Sequence, residues 1–315
     1  MTRRALIAAI VVVSWVAGST LGSIAGLPAA LARTAGVVIG RAHGGYTPEP
    51  TGRRTITILA VGSDARPGQN PLSSRADSLH VIFLQPRKGQ AVIVGIPRDS
   101  WVSIPGHGTD KINSAMSSGG PARLVQTVEQ NFGARIDYWA VTSFWGIARM
   151  VDEVGGLQVH VPFAMHDPYS GAYFHQGLVR LHGKQVLAFA RDRHSVASGD
   201  FGRSENGGRV FESALAQFRK EYRKNPSRLL TWIAAGVRNM DTELPVDELV
   251  DLAFTAIHMR MDHVRNVVLP GGTGSIGGLS VVTLSMSTAR AIFADAKGDG
   301  ALRPENIPRS PTGTG

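Results

Sequence analysis

The sequence predicts an α/β layered domain, and three observations carry that prediction. Near-continuous apolar, β-branched runs lie at 55–61 (TITILAV), 78–84 (SLHVIFL) and 91–96 (AVIVGI), as in strands buried on both faces. Beyond them, segments with helical apolar spacing alternate with short strand-like runs, an order that layers helices on a sheet. No composition break divides residues 53 to 298, so a single domain is expected, long enough to bury an ample core.

The N-terminus stands apart. Arg3 and Arg4 precede a run from 5 to 32 without a charge. Some 20 apolar residues span a bilayer as a helix, roughly the length available here. Residues 5–31 are expected to be a transmembrane anchor, with 1–4 a cytoplasmic stub because positive charge stays inside. The rival is a cleaved signal peptide, since Ala30-Leu31-Ala32 has the small-x-small form of a cleavage site. Either reading exports the rest of the chain and argues against a nucleic-acid partner. Residues 32–52, rich in Gly, Pro and polar residues, are expected to be a linker, and the folded domain to span 53–300.

Within the domain, 86–90 (PRKGQ) is the turn joining the second and third strands. Pro97-Arg98-Asp99 closes the third, and 104–113 (IPGHGTDKIN) is a turn-rich loop. Gly119-Gly120-Pro121 opens a helix running to about 131, where Pro121 suits a first turn. A strand at 136–141, a helix at 143–154 stopped by Gly155-Gly156, and a strand at 157–161 follow. Residues 165–182 are expected to be a loop carrying three aromatics and three histidines. Helices are expected at 184–190, 210–223, 228–237, 246–259 and 287–296, a strand at 264–269, and a flexible glycine-rich loop at 271–278. Residues 301–315 are expected to be a disordered tail.

Hydrophobic content of 43% and charged content of 18% describe a globular chain, and a net charge of +9 favours anionic partners. There is no cysteine, which excludes disulfides and thiolate metal sites. Charged residues gather where strands or helices end: Asp64, Arg66, Arg75 and Asp77; Arg98 and Asp99; Lys111; Arg191, Arg193, Asp200 and Arg203. Carboxylates such as Asp64 and Asp77 suit Mg²⁺, a hard cation that keeps waters or phosphate oxygens. Guanidiniums suit phosphate, because the planar fork bonds two oxygens. Converging, these groups describe a pyrophosphate site; apart, they are surface ion pairs. No nucleophile elbow or Walker loop occurs, and the histidines lack zinc-motif spacing, so they are read as loop residues.

Several motifs follow in order: Gly62-Ser63-Asp64-Ala65-Arg66, Arg75-Ala76-Asp77-Ser78, Ile96-Pro97-Arg98-Asp99, Ile104-Pro105-Gly106-His107-Gly108, Asp110-Lys111-Ile112-Asn113, Gly119-Gly120-Pro121, Val151-Asp152-x-Val154-Gly155-Gly156-Leu157 and Gly199-Asp200-Phe201-Gly202-Arg203. In this order they resemble the LytR-CpsA-Psr family over residues 53–240, with a looser tail to 296. The resemblance implies a three-layer α-β-α fold, with a central mixed sheet flanked by helices and an apolar lipid pocket. It implies a membrane-anchored phosphotransferase that moves a glycopolymer, such as teichoic acid, capsule or arabinogalactan, from a polyprenyl-pyrophosphate carrier to peptidoglycan. It assigns Asp64 and Asp77 to Mg²⁺, with Mn²⁺ as the alternative ion. It places Arg66, Arg75, Arg98, Arg191, Arg193 and Arg203 around the pyrophosphate, with Lys111 lining the site and Asp99 and Asp200 orienting arginines. Asp64, Asp77 and Arg98 are then the catalytic set, and no general base is identifiable.

There is one departure. Three residues after Gly202-Arg203, many members carry Arg-Gln, whereas this chain has Asn206-Gly207; Arg209 is the candidate to supply the missing guanidinium. Two further readings stay open: hydrolysis of the lipid-linked glycan with water as acceptor, and a non-catalytic envelope protein that binds lipid-linked glycan.

Overall fold

The computed structural model describes residues 36–43, 54–66, 68–195 and 198–313. The expected stub and anchor lie outside these residues; among the described residues no helix is long and apolar enough to cross a membrane. The strands are β1 (Val37–Arg41), β2 (Ile56–Ser63), β3 (Ala76–Gln85), β4 (Gln90–Gly95), β5 (Trp101–Ile104), β6 (Gly108–Lys111), β7 (Tyr138–Ser143), β8 (Leu157–Val161), β9 (Met165–Asp167), β10 (Ala172–Phe174), β11 (Gly177–Leu181), β12 (Met240–Thr242), β13 (Val264–Val268), β14 (Gly271–Ile276) and β15 (Leu279–Leu284). The helices are α1 (Ser114–Phe132), α2 (Phe144–Glu153), α3 (Gly183–Arg191), α4 (Asp200–Lys224), α5 (Arg228–Asn239), α6 (Val246–His258) and α7 (Met286–Asp299).

Seven strands make a central mixed sheet in the order β12-β1-β7-β2-β3-β4-β13. The β2–β3 and β3–β4 pairs are antiparallel, while β2–β7 and β4–β13 are parallel. Alternate residues face opposite layers, as the period of two requires. Leu59, Val81, Phe83 and Val94 pack toward α1 and α7, and Ile56, Leu84 and Ile93 toward α4 and α6. Phe293 on α7 meets Phe83 edge-on at 5.4 Å and stacks on Phe132 of α1 at 4.8 Å. Each such buried ring contributes on the order of 2 kcal/mol. Helices α2, α3 and α5, with β8 and β11, form a second core at one flank. This is the expected three-layer mixed α/β architecture.

The departures from expectation have local causes. Residues 37–41, expected within the linker, form β1, inserted between β12 and β7. Strand β1 is only five residues long and separated from β2 by polar chain, so no sequence pattern ties it to the sheet. The expected loops at 104–113 and 271–278 are largely hairpins: Ile104 pairs with Gly108, and Ile276 with Leu279. The 165–182 segment likewise folds into β9, β10 and β11. Helix α1 begins before Gly119-Gly120, kinks there, and resumes at Pro121.

Helix α4 begins ten residues earlier than its apolar stripe, because its first half packs through small residues. A Cβ at Gly208 would meet Asn266 Oδ1 of β13 at 2.0 Å, so any side chain there would displace Asn266 from its bond to Glu205 O. The tail is also structured. Glu205 of α4 accepts from the Ser310 hydroxyl at 2.6 Å and the Thr312 N–H at 3.0 Å.

Candidate active site

The turn at 86–89 fixes the register of β3 against β4, with Gln85 opposite Gln90 and His80 opposite Gly95. Three residues further in each direction, Asp77 lies beside Arg98, whose Nη1 donates to Asp77 Oδ1 at 2.5 Å. In the β2–β3 ladder Gly62 faces Ser78 and Ser63 faces Ala76, so Asp77 is the extra residue of a β-bulge. A bulge re-aims the side chain it frees. Asp77 thereby turns toward the cavity between the sheet and the helices.

The start of α4 completes the cluster. Asp200, in its first turn, pairs with Arg203 at 2.5 Å and stands 3.9 Å from Arg98 Nε. Asp99 bridges Arg98 at 3.9 Å and Lys111 at 3.2 Å. Arg191, at the end of α3, lies 5.2 Å above the Phe144 ring, a contact that steadies a guanidinium without consuming its donors. Burial pulls Arg98 down, but Asp77, Asp200 and Asp99 together hold it above its ordinary value. Burial keeps Arg203 below its ordinary value and raises Asp200, each despite the other's charge. Arg98 Nε and Asp200 Oδ2 are buried with no hydrogen-bond partner among the described residues. A buried guanidinium N–H without an acceptor is unstable in isolation and suits an incoming anion.

These groups close one end of a cavity of about 610 Å³. Its walls come from the sheet face, including Ile39 and Ala60, and from α2, α3, α4 and α5, including Ile147, Val186, Phe211 and Trp232. One end is therefore apolar and the other cationic, which fits an amphiphile with an anionic head.

Of the residues expected from sequence, Asp77, Arg98, Arg191, Arg193, Asp200 and Arg203 line the cavity, and Asp99 and Lys111 join them through ion pairs. Asp64, Arg66 and Arg75 are exposed and lie on the loop beside the bulge. Asp64 closes that loop: its Oδ1 accepts the Arg75 N–H at 3.0 Å, and its own N–H donates to Arg75 O at 3.2 Å. Arg209 is not brought to the cluster. It pairs with Glu205 at 3.0 Å and donates to Thr312 at 3.2 Å. Six residues after Arg203, about 100° per residue carries it to a different face of α4.

The donor set bears on the expected cation. Asp64 and Asp77 each engage Oδ1 with a protein donor, and each has a second oxygen for another partner. Among the described residues no three His, Asp or Glu side chains cluster as ligands. Two carboxylates flanking a bulge suit an ion that takes few protein ligands and completes its shell with water or phosphate, as Mg²⁺ does.

Sequence reasoning missed Phe144, Ser78, Asp167 and His194, all lining the cavity. Asp167 and His194 lie 27 residues apart, and no spacing rule joins them. The β3–β4 register was available from the turn and would have paired Asp77 with Arg98.

The family described as LytR_cpsA_psr matches residues 40–298. The probable cell wall biosynthesis protein LcpB of Corynebacterium glutamicum is 36% identical over 170 residues, covering 50% of this chain and 41% of that protein. The polyisoprenyl-teichoic acid–peptidoglycan teichoic acid transferase TagU of Bacillus subtilis is 34% identical over 161 residues, covering 51% of each. The chain thus spans about half the length of the curated relatives it matches. The crystal structure of Bacillus subtilis TagV superposes with a TM-score of 0.61 at 25% identity, covering 80% of this chain and 100% of that one. The family protein YwtF (TagT) of the same organism, solved with bound octaprenyl pyrophosphate lipid, gives 0.60 at 20% identity over 82% of this chain and 95% of that one, a likeness of fold. With the family match running over nearly the whole described domain, from β1 to the end of α7, this chain belongs to the LytR-CpsA-Psr family.

Proposed function

We propose that this protein is a phosphotransferase that moves a glycopolymer from a polyprenyl-pyrophosphate carrier to a peptidoglycan hydroxyl in the cell envelope. The observation that carries this reading is a cavity that joins apolar walls to Arg98, Arg191, Arg193 and Arg203. An isoprenoid tail buries its apolar surface against the walls, and the pyrophosphate meets the guanidiniums. The name of TagU and the lipid bound to YwtF support the same class of substrate, and the name of LcpB supports a role in cell wall biosynthesis. The uncharged segment at 5–31 anchors the chain, with the domain on the outer side of the membrane.

In this reading Asp77 and Asp200 hold Arg98 and Arg203 in place before substrate arrives. Arg98 Nε donates to a phosphate oxygen. Lys111, tied to Asp99, adds positive charge behind the arginines. Asp64 and Asp77 would hold Mg²⁺, or Mn²⁺, which would neutralise charge on the phosphates. The acceptor oxygen bonds to the phosphorus nearest the glycan, and polyprenyl phosphate leaves. Fixed cations aimed at the charge that develops are the main catalytic contribution expected of such a site.

The test mixes the full-length protein in detergent with a synthetic polyprenyl-pyrophosphate-linked glycan, peptidoglycan fragments and Mg²⁺, and reads products by mass spectrometry. A glycan-phosphate-peptidoglycan adduct, lost in Asp77→Ala, is the expected result. Release of free glycan phosphate alone would make water the acceptor and the protein a hydrolase. Lipid binding without any turnover would remove the enzyme reading.

A further inference from the structure

The cavity end carries a second cluster that the arginine chemistry leaves unused. Asp167, the last residue of β9, is fully buried. Its Oδ1 accepts the Tyr169 N–H at 2.9 Å, and its Oδ2 meets His194 Nδ1 at 3.1 Å. Asp192, also fully buried, holds the loop from beneath: its Oδ1 accepts the N–H of His194 at 3.2 Å and of Ser195 at 3.1 Å. The Tyr169 ring lies 4.7 Å from the His194 ring. His194 is thus gripped on one edge, while 42% of its side chain is exposed. Asp167, Tyr169 and His194 line the same cavity as Arg98 and Arg203, and His194 directly follows Arg193.

This is the arrangement a general base requires. A neutral imidazole that donates Nδ1–H to a fixed carboxylate presents the lone pair of Nε2 to the solvent side. Burial acts to raise Asp167, but the bonds from His194 and from the Tyr169 N–H outweigh it and hold the carboxyl below its usual range. Burial, and then the adjoining Asp167, raise Asp192. Tyr169, from the turn after β9, faces the His194 ring, the Asp192 carboxylate accepts the His194 backbone N–H, and Arg193 lines the same cavity.

We propose that His194, oriented by Asp167, is the general base that takes the proton of the acceptor hydroxyl, an inference that rests on the transfer reading above. The acceptor oxygen forms its bond to the phosphorus nearest the glycan. The bond from that phosphorus to the bridging oxygen breaks, its electron pair leaving with polyprenyl phosphate. The hydroxyl proton passes to His194 Nε2 and from there to solvent. Asp167 is a positioning residue that fixes the ring.

The experiment measures transfer of the same synthetic glycan to peptidoglycan fragments by the full-length protein over about pH 5 to 9, with lipid binding and thermal melting in parallel. His194→Gln is expected to melt and bind the lipid as wild type does, to lose transfer by about 10²- to 10³-fold, and to lose the acid limb of the rate profile. Asp167→Asn is expected to lose rate and to move that limb, and to add little once His194 is Gln. If His194→Gln transfers at the wild-type rate, or loses rate yet keeps the acid limb, the base assignment is overturned and the transfer reading stands. If the wild-type protein forms no adduct, the transfer reading falls and the base with it.

Discussion

Asp77 and Arg98 touch because the β3–β4 hairpin has one register. The pairing of His80 with Gly95, carried on by three residues, puts the bulge carboxylate against the first guanidinium beyond β4. Arg98 also stands within 3.9 Å of Asp99 and Asp200, so one side chain links three acids.

Arg98→Ala is therefore expected to lower transfer by about 10²- to 10³-fold, the usual cost of removing a preorganised donor. Arg98→Lys should recover little, since one ammonium cannot span Asp77 and a phosphate oxygen as the planar fork does. Both variants should stay folded by circular dichroism, because Arg98 is partly exposed at the end of the cavity. Transfer at the wild-type rate in Arg98→Ala would remove this residue from the site.

The departure at Asn206-Gly207 is a packing matter. Asn206 is fully buried and donates to Phe189 O of α3 at 3.4 Å. A Cβ at Gly207 would sit 2.7 Å from His80 Cε1. His80 occupies the space beside α4, held by Ser204 O at 2.9 Å and Ser78 Oγ at 3.3 Å. Gly207→Ala should thus cost about 1–3 kcal/mol of stability by overpacking. In a His80→Ala background most of that cost should vanish, as a double-mutant cycle in urea would read. Equal costs in the two backgrounds would show that His80 is not what Gly207 accommodates.

His80 also sets a pH dependence. Burial lowers it to about 4 from an ordinary value of 6.5, against the bond to Ser204 O. Between those values the unfolded chain holds a proton that the native state refuses, so stability is full above about pH 6.5 and declines as pH falls toward 4. The loss is roughly 3 kcal/mol. Glu212, pushed up to about 7 by burial, acts in the opposite direction, since its native state keeps a proton that the unfolded chain releases above its ordinary 4.5. The measurable quantity is the difference in slope: as pH falls from 6.5 to 4, His80→Met should lose less urea stability, or gain more, than wild type. An unchanged slope would mean that another group governs acid sensitivity.

What the sequence made legible follows from where the physics is local. The strands β2, β3 and β4 are single apolar runs around one turn, and their charged ends were readable as site residues. Asp77, Arg98, Arg191, Arg193, Asp200 and Arg203 were all foreseen and share one cavity. The same reading placed Arg209 with them, and helix phase put it with Glu205 instead. Strand β1 was missed because five residues in a polar stretch gain their identity only from β7 and β12, far along the chain. The first half of α4 was missed because its close packing uses Gly202, Ser204, Gly207 and Gly208, which carry no apolar stripe. Asp167 and His194 were invisible for a related reason: a buried acid and a loop histidine become a pair only when β9 and the segment after α3 are folded together.

Strand β1 can be tested as part of the fold through Glu248 of α6. That carboxylate is buried, accepts from the Tyr138 hydroxyl of β7 at 2.6 Å, and accepts from Arg41 Nε of β1 at 3.1 Å. Tyr138 is raised above its ordinary value by burial and then by Glu248, so its hydroxyl stays protonated and needs an acceptor. Glu248→Ala removes the acceptor that the Tyr138 hydroxyl and Arg41 share and should cost about 1–3 kcal/mol. Glu248→Gln keeps an acceptor oxygen and should cost less. Tyr138→Phe should cost less on top of Glu248→Ala than in the wild type, because the bond it removes is then already gone. A second probe reads β1 itself: backbone amides of Val38 and Ile39 should exchange with deuterium faster in Glu248→Ala than in wild type. Amides that exchange at random-coil rates in the wild-type protein would return this segment to the linker and remove it from the sheet.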